Sequence, residues 1–321
     1  MKRAVLVILC VGLIVSLAAC TGNDDVILGD LNLGVLEYEG IGIMGVTYDF
    51  YDNGYALIES ILHEYAQLEE NVSYNGTNYI VVGFVQPSSL LSSTGVFGVR
   101  ETKSPENLVL PDTIQHISNH ALAYCTANTI TLPSNLKTID NGVFSGASNI
   151  ETISIPETVT SIFAHYLFQN CVNLKSVNFP SNCDILFLDN TFEGCTSLET
   201  VTIPACVDYI GSLCFYQCYS LTNVTIENGV ERIKENAFMS CPKLTKLVVP
   251  ESITLIEDGA FCDCTGLTDI TLPDNLTDIS AKLFTNKYYQ PADVSGMTIR
   301  VRADMVSYVQ KIYPTANVVP K

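Results

Sequence analysis

The chain has 321 residues, with 34 Asp+Glu against 16 Lys+Arg, a formal net charge of −18 and a hydrophobic fraction of 47%. So much apolar material excludes intrinsic disorder, and the acidic balance excludes a nucleic-acid binder working through a basic face. Either a membrane span is hidden in the chain or its apolar residues are ordered very regularly.

One apolar stretch, Ala4 to Ala19, is long enough to bear on the membrane question. Lys2 and Arg3 precede it, Val5 to Val15 is uniformly apolar, and it ends Leu17-Ala18-Ala19-Cys20. A short apolar run between a basic start and small residues predicts a secretory signal over residues 1–19 rather than a spanning helix. Its ending resembles a bacterial lipoprotein signal, which implies cleavage before Cys20 and acylation of the Cys20 thiol. One acyl chain anchors only marginally, so a stable tether needs two or more. Residues 20–44 are expected to be the lipidated N-terminus and tether. The pair Asp24-Asp25 is similar to leaders of surface-exported lipoproteins, which implies an outer-membrane or cell-surface location with Cys20 as the membrane attachment.

Residues 45–107 read as a strand-rich N-terminal cap. Val46 to Ile58 alternates around Asp52-Asn53-Gly54, and a second alternating run surrounds Asn75-Gly76; both are hairpin signals. Pro87 to Asn107, rich in Ser and Gly, reads as a degenerate coil or a loop.

From residue 108 to 286 a repeat takes over. Phe144, Phe168, Phe192, Phe215, Phe238, Phe261 and Phe284 recur every 23 or 24 residues, with Leu122 in the same slot before them. Three residues after those positions stand Cys125, Cys171, Cys195, Cys218, Cys241 and Cys264, with Ala147 the interior exception. Pro111, Pro133, Pro156, Pro180, Pro204, Pro250 and Pro273 form a third column, broken at Glu227. Alternating apolar residues before the proline, such as Val201 with Ile203, predict a strand with one buried face, which proline terminates. The Ala-Phe-x-x-Cys-x-x-Leu spacing suits a helical or 3₁₀ turn. One such coil cannot close a core, but stacked coils share one.

Copies such as Leu198-Glu-Thr-Val-Thr-Ile-Pro204, followed by Ile210 and Cys214-Phe215-Tyr-Gln-Cys218, resemble the BspA-like (Treponema-type) leucine-rich repeats. The resemblance implies an α/β fold: a right-handed solenoid with a parallel β-face and short helical or 3₁₀ turns, capped at both ends. Eight coils at ~4.8 Å per strand would run roughly 40 Å. Residues 287–321, with a strand at Met297 to Val301 and a short helix from Asp304 to Tyr313, resemble the closing unit of that family. Lys287, in place of a ladder cysteine, marks the end of the stack.

Candidate chemistry is sparse. Six cysteines fill the ladder, Cys183 and Cys214 occupy other apolar slots, and only Cys206 and Cys262 fall in columns expected to be exposed. Small buried thiols explain the ladder, and in-register stacking suits a disulfide dihedral poorly, so reduced thiols are expected. His63 and His165 stand alone; His116 and His120 are four apart but lack the accompanying Glu of a zinc helix, and read as solvated loop residues. No metal site, cofactor, nucleophile elbow or phosphate loop is read, so the protein is expected not to be an enzyme. What repeats offer is a surface. Thr131, Ser154, Asn178, Thr202, Thr225, Val248 and Thr271 form one outward column, beside Thr129, Thr152, Ser176, Thr200, Asn223, Lys246 and Asp269. Threonine favours strands for packing reasons alone; the functional alternative is a polar platform. Tyr209, Tyr216 and Tyr219 fall in one coil and make a candidate aromatic patch off that face. The family resemblance implies adhesion, with a host or bacterial surface protein as partner; a glycan-binding accessory role in a surface uptake system is the second reading.

Overall fold

The computed structural model describes residues 106–321 apart from 182, 183, 188, 277, 287 and 289, with the backbone alone for 184–187; before them it describes backbone strands between 26 and 84 and the side chains of 71–73. The lipoprotein signal, Cys20, the Asn-Gly turns, His63, Cys183, Lys287 and most of Pro87 to Asn107 lie outside the described residues.

Val26–Leu28 pairs antiparallel with Leu31–Gly34, and the other five N-terminal strands form a mixed sheet in the spatial order Leu36–Ile43, Val46–Tyr51, Tyr55–Ile61, Thr77–Phe84, Asn71–Tyr74. The strands flanking each expected turn pair antiparallel, and Tyr55–Ile61 pairs parallel with Thr77–Phe84. One expectation needs correcting. Leu36–Ile43 pairs antiparallel with Val46–Tyr51, so a tether ending at residue 44 would cut between two hydrogen-bonded strands. The alternation Leu36-x-Tyr38, followed by Ile41-x-Ile43, carried that signal.

From Asn107 onward the chain is a parallel β-solenoid with two strands per coil. The first column comprises Asn107–Val109, Thr129–Thr131, Thr152–Ser154, Ser176–Asn178, Thr200–Ile203, Asn223–Ile226, Lys246–Val248 and Asp269–Thr271. Each turns an apolar residue inward between two outward ones, buried in all but Val224, which is half-buried; this is the period-2 pattern that the sequence displays. The column is not one uninterrupted sheet. Strands pair two by two, and only the last block grows to four, by adding Thr298–Val301 and Asn317–Pro320. A second column of two- to four-residue strands runs from His116–Ile117 through Thr138–Ile139 and Ser161–Phe163 to Asp184–Phe187, and resumes over Tyr209–Ile210, Arg232–Ile233 and Leu255–Ile256. Between the columns the proline supplies a carbonyl to a tight turn, as in Ile114 N–H to Pro111 O at 3.1 Å and Val207 N–H to Pro204 O at 3.1 Å.

The third side of each coil, the arc around the phenylalanine, is where the helical expectation changes. Turn bonds of the i to i+3 kind are present, such as Cys171 N–H to Phe168 O at 3.0 Å, but they do not propagate as a helix. The residues two before and two after the phenylalanine have positive φ: Tyr166 and Asn170, Asn190 and Gly194, Leu213 and Gln217, Asn236 and Ser240, Gly259 and Asp263. Alternating the backbone hand in this way points every second N–H along the solenoid axis. Phe144 donates to Leu167 O, Phe168 to Thr191 O, Phe192 to Cys214 O, Phe215 to Ala237 O, and Phe238 to Ala260 O. A helix would have spent those donors within its own turn. Left-handed conformations cost little for Gly and Asn but more for Leu213 and the tyrosines. Satisfying buried donors from coil to coil outweighs that cost.

The core is a stack of columns. Phe144, Phe168, Phe192, Phe215 and Phe238 lie ring on ring with centroids 5.0–5.5 Å apart and planes within 12° of parallel. Phe261 and Phe284 continue the stack at 5.7 Å, and Tyr313 closes it edge-on at 5.2 Å. Tyr313 comes from the segment after the helix Val306–Ile312, so the C-terminal unit is fastened to the core by an aromatic ring. Lys321 is held by Glu251, Asp274 and the Leu272 carbonyl, which fixes the last strand to the coils beneath.

Candidate functional site

All fourteen residues expected on the outward face lie on the first strand column: Thr129, Thr131, Thr152, Ser154, Asn178, Thr200, Thr202, Asn223, Thr225, Lys246 and Val248 are exposed, and Ser176, Asp269 and Thr271 are half-buried. The register stacks the two outward columns: Thr152 opposes Ser176, Ser154 opposes Asn178, Thr200 opposes Asn223, and Thr202 opposes Thr225. Neighbouring coils are linked laterally, with Thr129 Oγ1 donating to Asn107 Oδ1 at 2.8 Å and Asn178 Nδ2 donating to Ser154 Oγ at 3.0 Å. From Thr129 to Thr225 these outward positions carry no charge.

The ends of this face differ from its middle. Val109 and Val248 are 59% and 55% exposed, the largest apolar openings on the face. Arg300, brought in by the added strand, donates two bonds to Asp269 at 3.0 and 3.2 Å. The resulting order along the face is apolar, neutral hydroxyl and amide, apolar, then an ion pair. The outward columns read from the sequence begin at Thr129 and Thr131 and end at Asp269 and Thr271, so they leave out Val109 and Arg300.

The expected tyrosine patch does not assemble as one platform. Tyr209 lies on the second strand column, where Lys234 Nζ sits 3.7 Å from its ring centroid. Its hydroxyl is pushed above the usual tyrosine range, chiefly by burial. Tyr216 belongs to the arc and is half-buried, accepting from Gln217 Nε2 at 3.2 Å; Tyr219 is exposed beyond the ladder cysteine. Lys234 also approaches Asp189 at 3.6 Å, and Asp189 stands 3.9 Å from His165, so this side of the coil carries a polar staple spanning several coils.

The histidine expectation is corrected as well. His116 is on a strand and half-buried, with Nε2 3.3 Å from Asp140 and Nδ1 bonded to the Thr138 hydroxyl. His120 is half-buried over Gly142, and burial lowers its pKa. Both were expected in solvent; stacking of the next coil covers them. Among the described residues no group of three His, Cys, Asp or Glu is placed to hold a metal, and no helix is long and apolar enough to cross a membrane.

The nine described cysteines are free. Cys171, Cys195, Cys218, Cys241 and Cys264 each point Sγ at the carbonyl of a phenylalanine one coil back, 2.9–3.2 Å away. A thiol in that slot fills space and gives the carbonyl a weak donor. Cys262, expected to be exposed, is buried instead; its small side chain is covered by the following coil and donates to Asn286 O at 3.2 Å.

The BspA type leucine rich repeat region, in six copies, matches residues 96–187 and 186–301 of the chain. Among solved structures, a leucine-rich repeat protein from Eubacterium ventriosum shares 25% identity, with 66% of this chain and 51% of that one covered and a TM-score of 0.47. A leucine rich cell surface protein from Faecalibacterium prausnitzii shares 20%, covering 87% and 94%, at 0.45. The T. pallidum leucine rich repeat protein shares 19%, covering 71% and 91%, at 0.49. No curated protein matches the chain.

Proposed function

We propose that this chain, which belongs to the BspA-type leucine-rich-repeat family, is a non-enzymatic, lipid-anchored surface protein whose strand face binds a macromolecular partner. The observation that carries this reading is the outward face itself: two registered columns of hydroxyl and amide groups, uncharged over several coils of a chain with net charge −18. An array of short side chains carried on registered strands needs little rearrangement to dock, which keeps the entropic cost of association low. Exposed Val109 and Val248 supply apolar contact at either end, the chemistry from which hot spots are built. Anchoring rests on the order of Lys2-Arg3, the apolar run and Leu17-Ala18-Ala19-Cys20 in the sequence.

Two experiments test the two parts. Cys20→Ala is expected to move the protein from the detergent phase to the aqueous phase of membrane extracts; unchanged partitioning would defeat the anchoring claim. The soluble Cys20→Ala protein is then presented to immobilised matrix proteins, with and without Thr202→Lys and Thr225→Lys. Two lysines in the neutral middle of the face are expected to abolish binding while leaving the melting curve within a degree or two, since exposed substitutions change stability little. Binding that persists in the double variant places the partner elsewhere.

A further inference from the structure

The arcs of the first three coils form the longest consecutive run of uncharged arcs in the solenoid. Residues 119–126, 141–149 and 165–173 contain no Asp, Glu, Lys or Arg; among later arcs the one around Phe215 shares this, whereas those around Phe192, Phe238 and Phe261 carry Asp189, Glu193, Glu235, Asp258 and Asp263. In the same three arcs Tyr124 and Tyr166 are 40% and 42% exposed, and Val172 beside them is exposed too. An apolar opening of this kind without charge, in a strongly acidic protein, calls for an explanation.

The way the rings are mounted supplies one. Tyr124 has a positive φ, which lays its ring against Gly146 of the next coil; a Cβ there would fall 2.5 Å from Cδ1 and 2.7 Å from Cε1. His120 lies over Gly142 in the same manner, where a Cβ would meet Cε1 at 2.3 Å. Glycine in the second coil thus forms a floor on which rings of the first coil rest. Tyr166, also at positive φ, continues the patch in the third coil, with the His165 ring 6.0 Å away. Tyr124 and Tyr166 are two coils apart, about 10 Å along the axis. Burial lowers the pKa of both His120 and His165, which keeps the patch neutral at physiological pH.

We propose that this side of the first three coils is a second binding site, a shelf for a neutral saccharide chain: the open faces of Tyr124 and Tyr166 stack on separate sugar rings of one chain, and the exposed amide of Asn170 meets its hydroxyls. Aromatic faces suit the apolar C–H side of a pyranose, and amides suit its rim. The three arcs themselves offer an ionic polymer no counter-charge, and the charges bordering them, Asp189 3.9 Å from His165 and Lys234 3.6 Å from Asp189, are paired with each other. The shelf lies on a different side of the coil from the strand face, so the two sites are separable.

The test uses cellohexaose, laminarihexaose and chitohexaose as probes, followed by saturation-transfer NMR and calorimetry on the soluble Cys20→Ala protein. At least one probe is expected to bind. Tyr124→Ala is expected to weaken that binding by about tenfold, the factor that about 1.4 kcal/mol of lost contact corresponds to. Tyr124→Ala with Tyr166→Ala should remove it, Tyr124→Phe should retain it, and Tyr288→Ala, on the 70% exposed tyrosine near the other end, should leave it unchanged. Thr202→Lys with Thr225→Lys should also leave it unchanged, which separates this site from the strand face. Failure of all three probes to bind, or undiminished binding by a normally melting double tyrosine variant, would overturn the proposal.

Discussion

Phe215→Ala is expected to lower the unfolding free energy by about 3–5 kcal/mol, the loss typical of a buried aromatic truncated in a well-packed core. Phe215 is fully buried and stacks on Phe192 at 5.3 Å and on Phe238 at 5.0 Å, so one substitution removes two aromatic contacts and opens a cavity in mid-stack. The coil cannot collapse to fill it, because the backbone on both sides is pinned by Phe192 N–H to Cys214 O and Phe215 N–H to Ala237 O. Against a total of about 5–15 kcal/mol for a native protein, that loss is large. In a solenoid it also acts locally, since each coil is stabilised by its neighbours alone. Urea denaturation should show a lower midpoint and a broadened or biphasic transition as the two halves uncouple. A single transition shifted by less than about 1 kcal/mol would mean that the stack contributes little beyond filling space.

Alkaline pH should unfold the protein steeply under reducing conditions. Burial pushes the thiols of Cys171, Cys195, Cys214, Cys218 and Cys241 well above the ordinary cysteine range, and that of Cys264 up to about 12. An unfolded thiol titrates near about 8.5. Below that value both states hold the proton, and the thiols contribute no pH dependence. Above it the unfolded chain releases protons that the folded chain retains, so stability falls as pH rises toward the folded values. Each thiol contributes about 1.4 kcal/mol per pH unit, and the six together about 8 kcal/mol per unit. A stability of ordinary size would be exhausted near about pH 10. Urea midpoints measured between pH 7.5 and 10 should trace this slope, and Cys195→Ala with Cys218→Ala should reduce it by about a third while lowering stability at neutral pH. A flat profile would show that the ladder thiols ionise in the folded state.

The repeat made much of this architecture readable. Periodic Phe, Cys and Pro columns locate the coils, and alternation alone places Thr202 and Thr225 outward and Val201 and Ile203 inward. The arc was legible as a turn, but its coil-to-coil bonding was not, for a physical reason. The spacing of Phe and Cys is equally compatible with a helical turn and with a pair of left-handed bends, and only the destination of the N–H groups distinguishes them. A signal did exist: Gly, Asn and Asp recur two residues before or after the phenylalanine, as at Gly142, Gly146, Asn170, Asn190, Gly194, Asn236, Gly259 and Asp263, which is where left-handed backbone is cheapest. The tyrosines illustrate a different limit. Tyr209, Tyr216 and Tyr219 are close in sequence yet point from different sides of one coil, whereas Tyr124 and Tyr166 are far apart in sequence and share an arc. Proximity in a solenoid runs across the repeats, and a reading that moves along the chain underrates it.

The bonds that join the arcs from coil to coil have a polarity of their own. From Leu122 N–H to Val143 O, through Phe144, Phe168, Phe192, Phe215 and Phe238, to Phe261 N–H and Leu283 O, seven amides are joined head to tail across the coils. A parallel series runs from Tyr124 N–H to Ser145 O and ends at Asp263 N–H and Thr285 O. Every donor in both series faces the C-terminal end. Each peptide carries a dipole of roughly 3.5 D, and aligned peptides add, as they do along an α-helix. The arc is therefore an electrical axis perpendicular to the local chain direction, positive toward the C-terminal cap and negative toward the first coil. Asp258 and Asp263 stand near the positive pole, while the uncharged tyrosine arcs occupy the negative one, so the rod can distinguish its two ends electrostatically without a single helix lying along it.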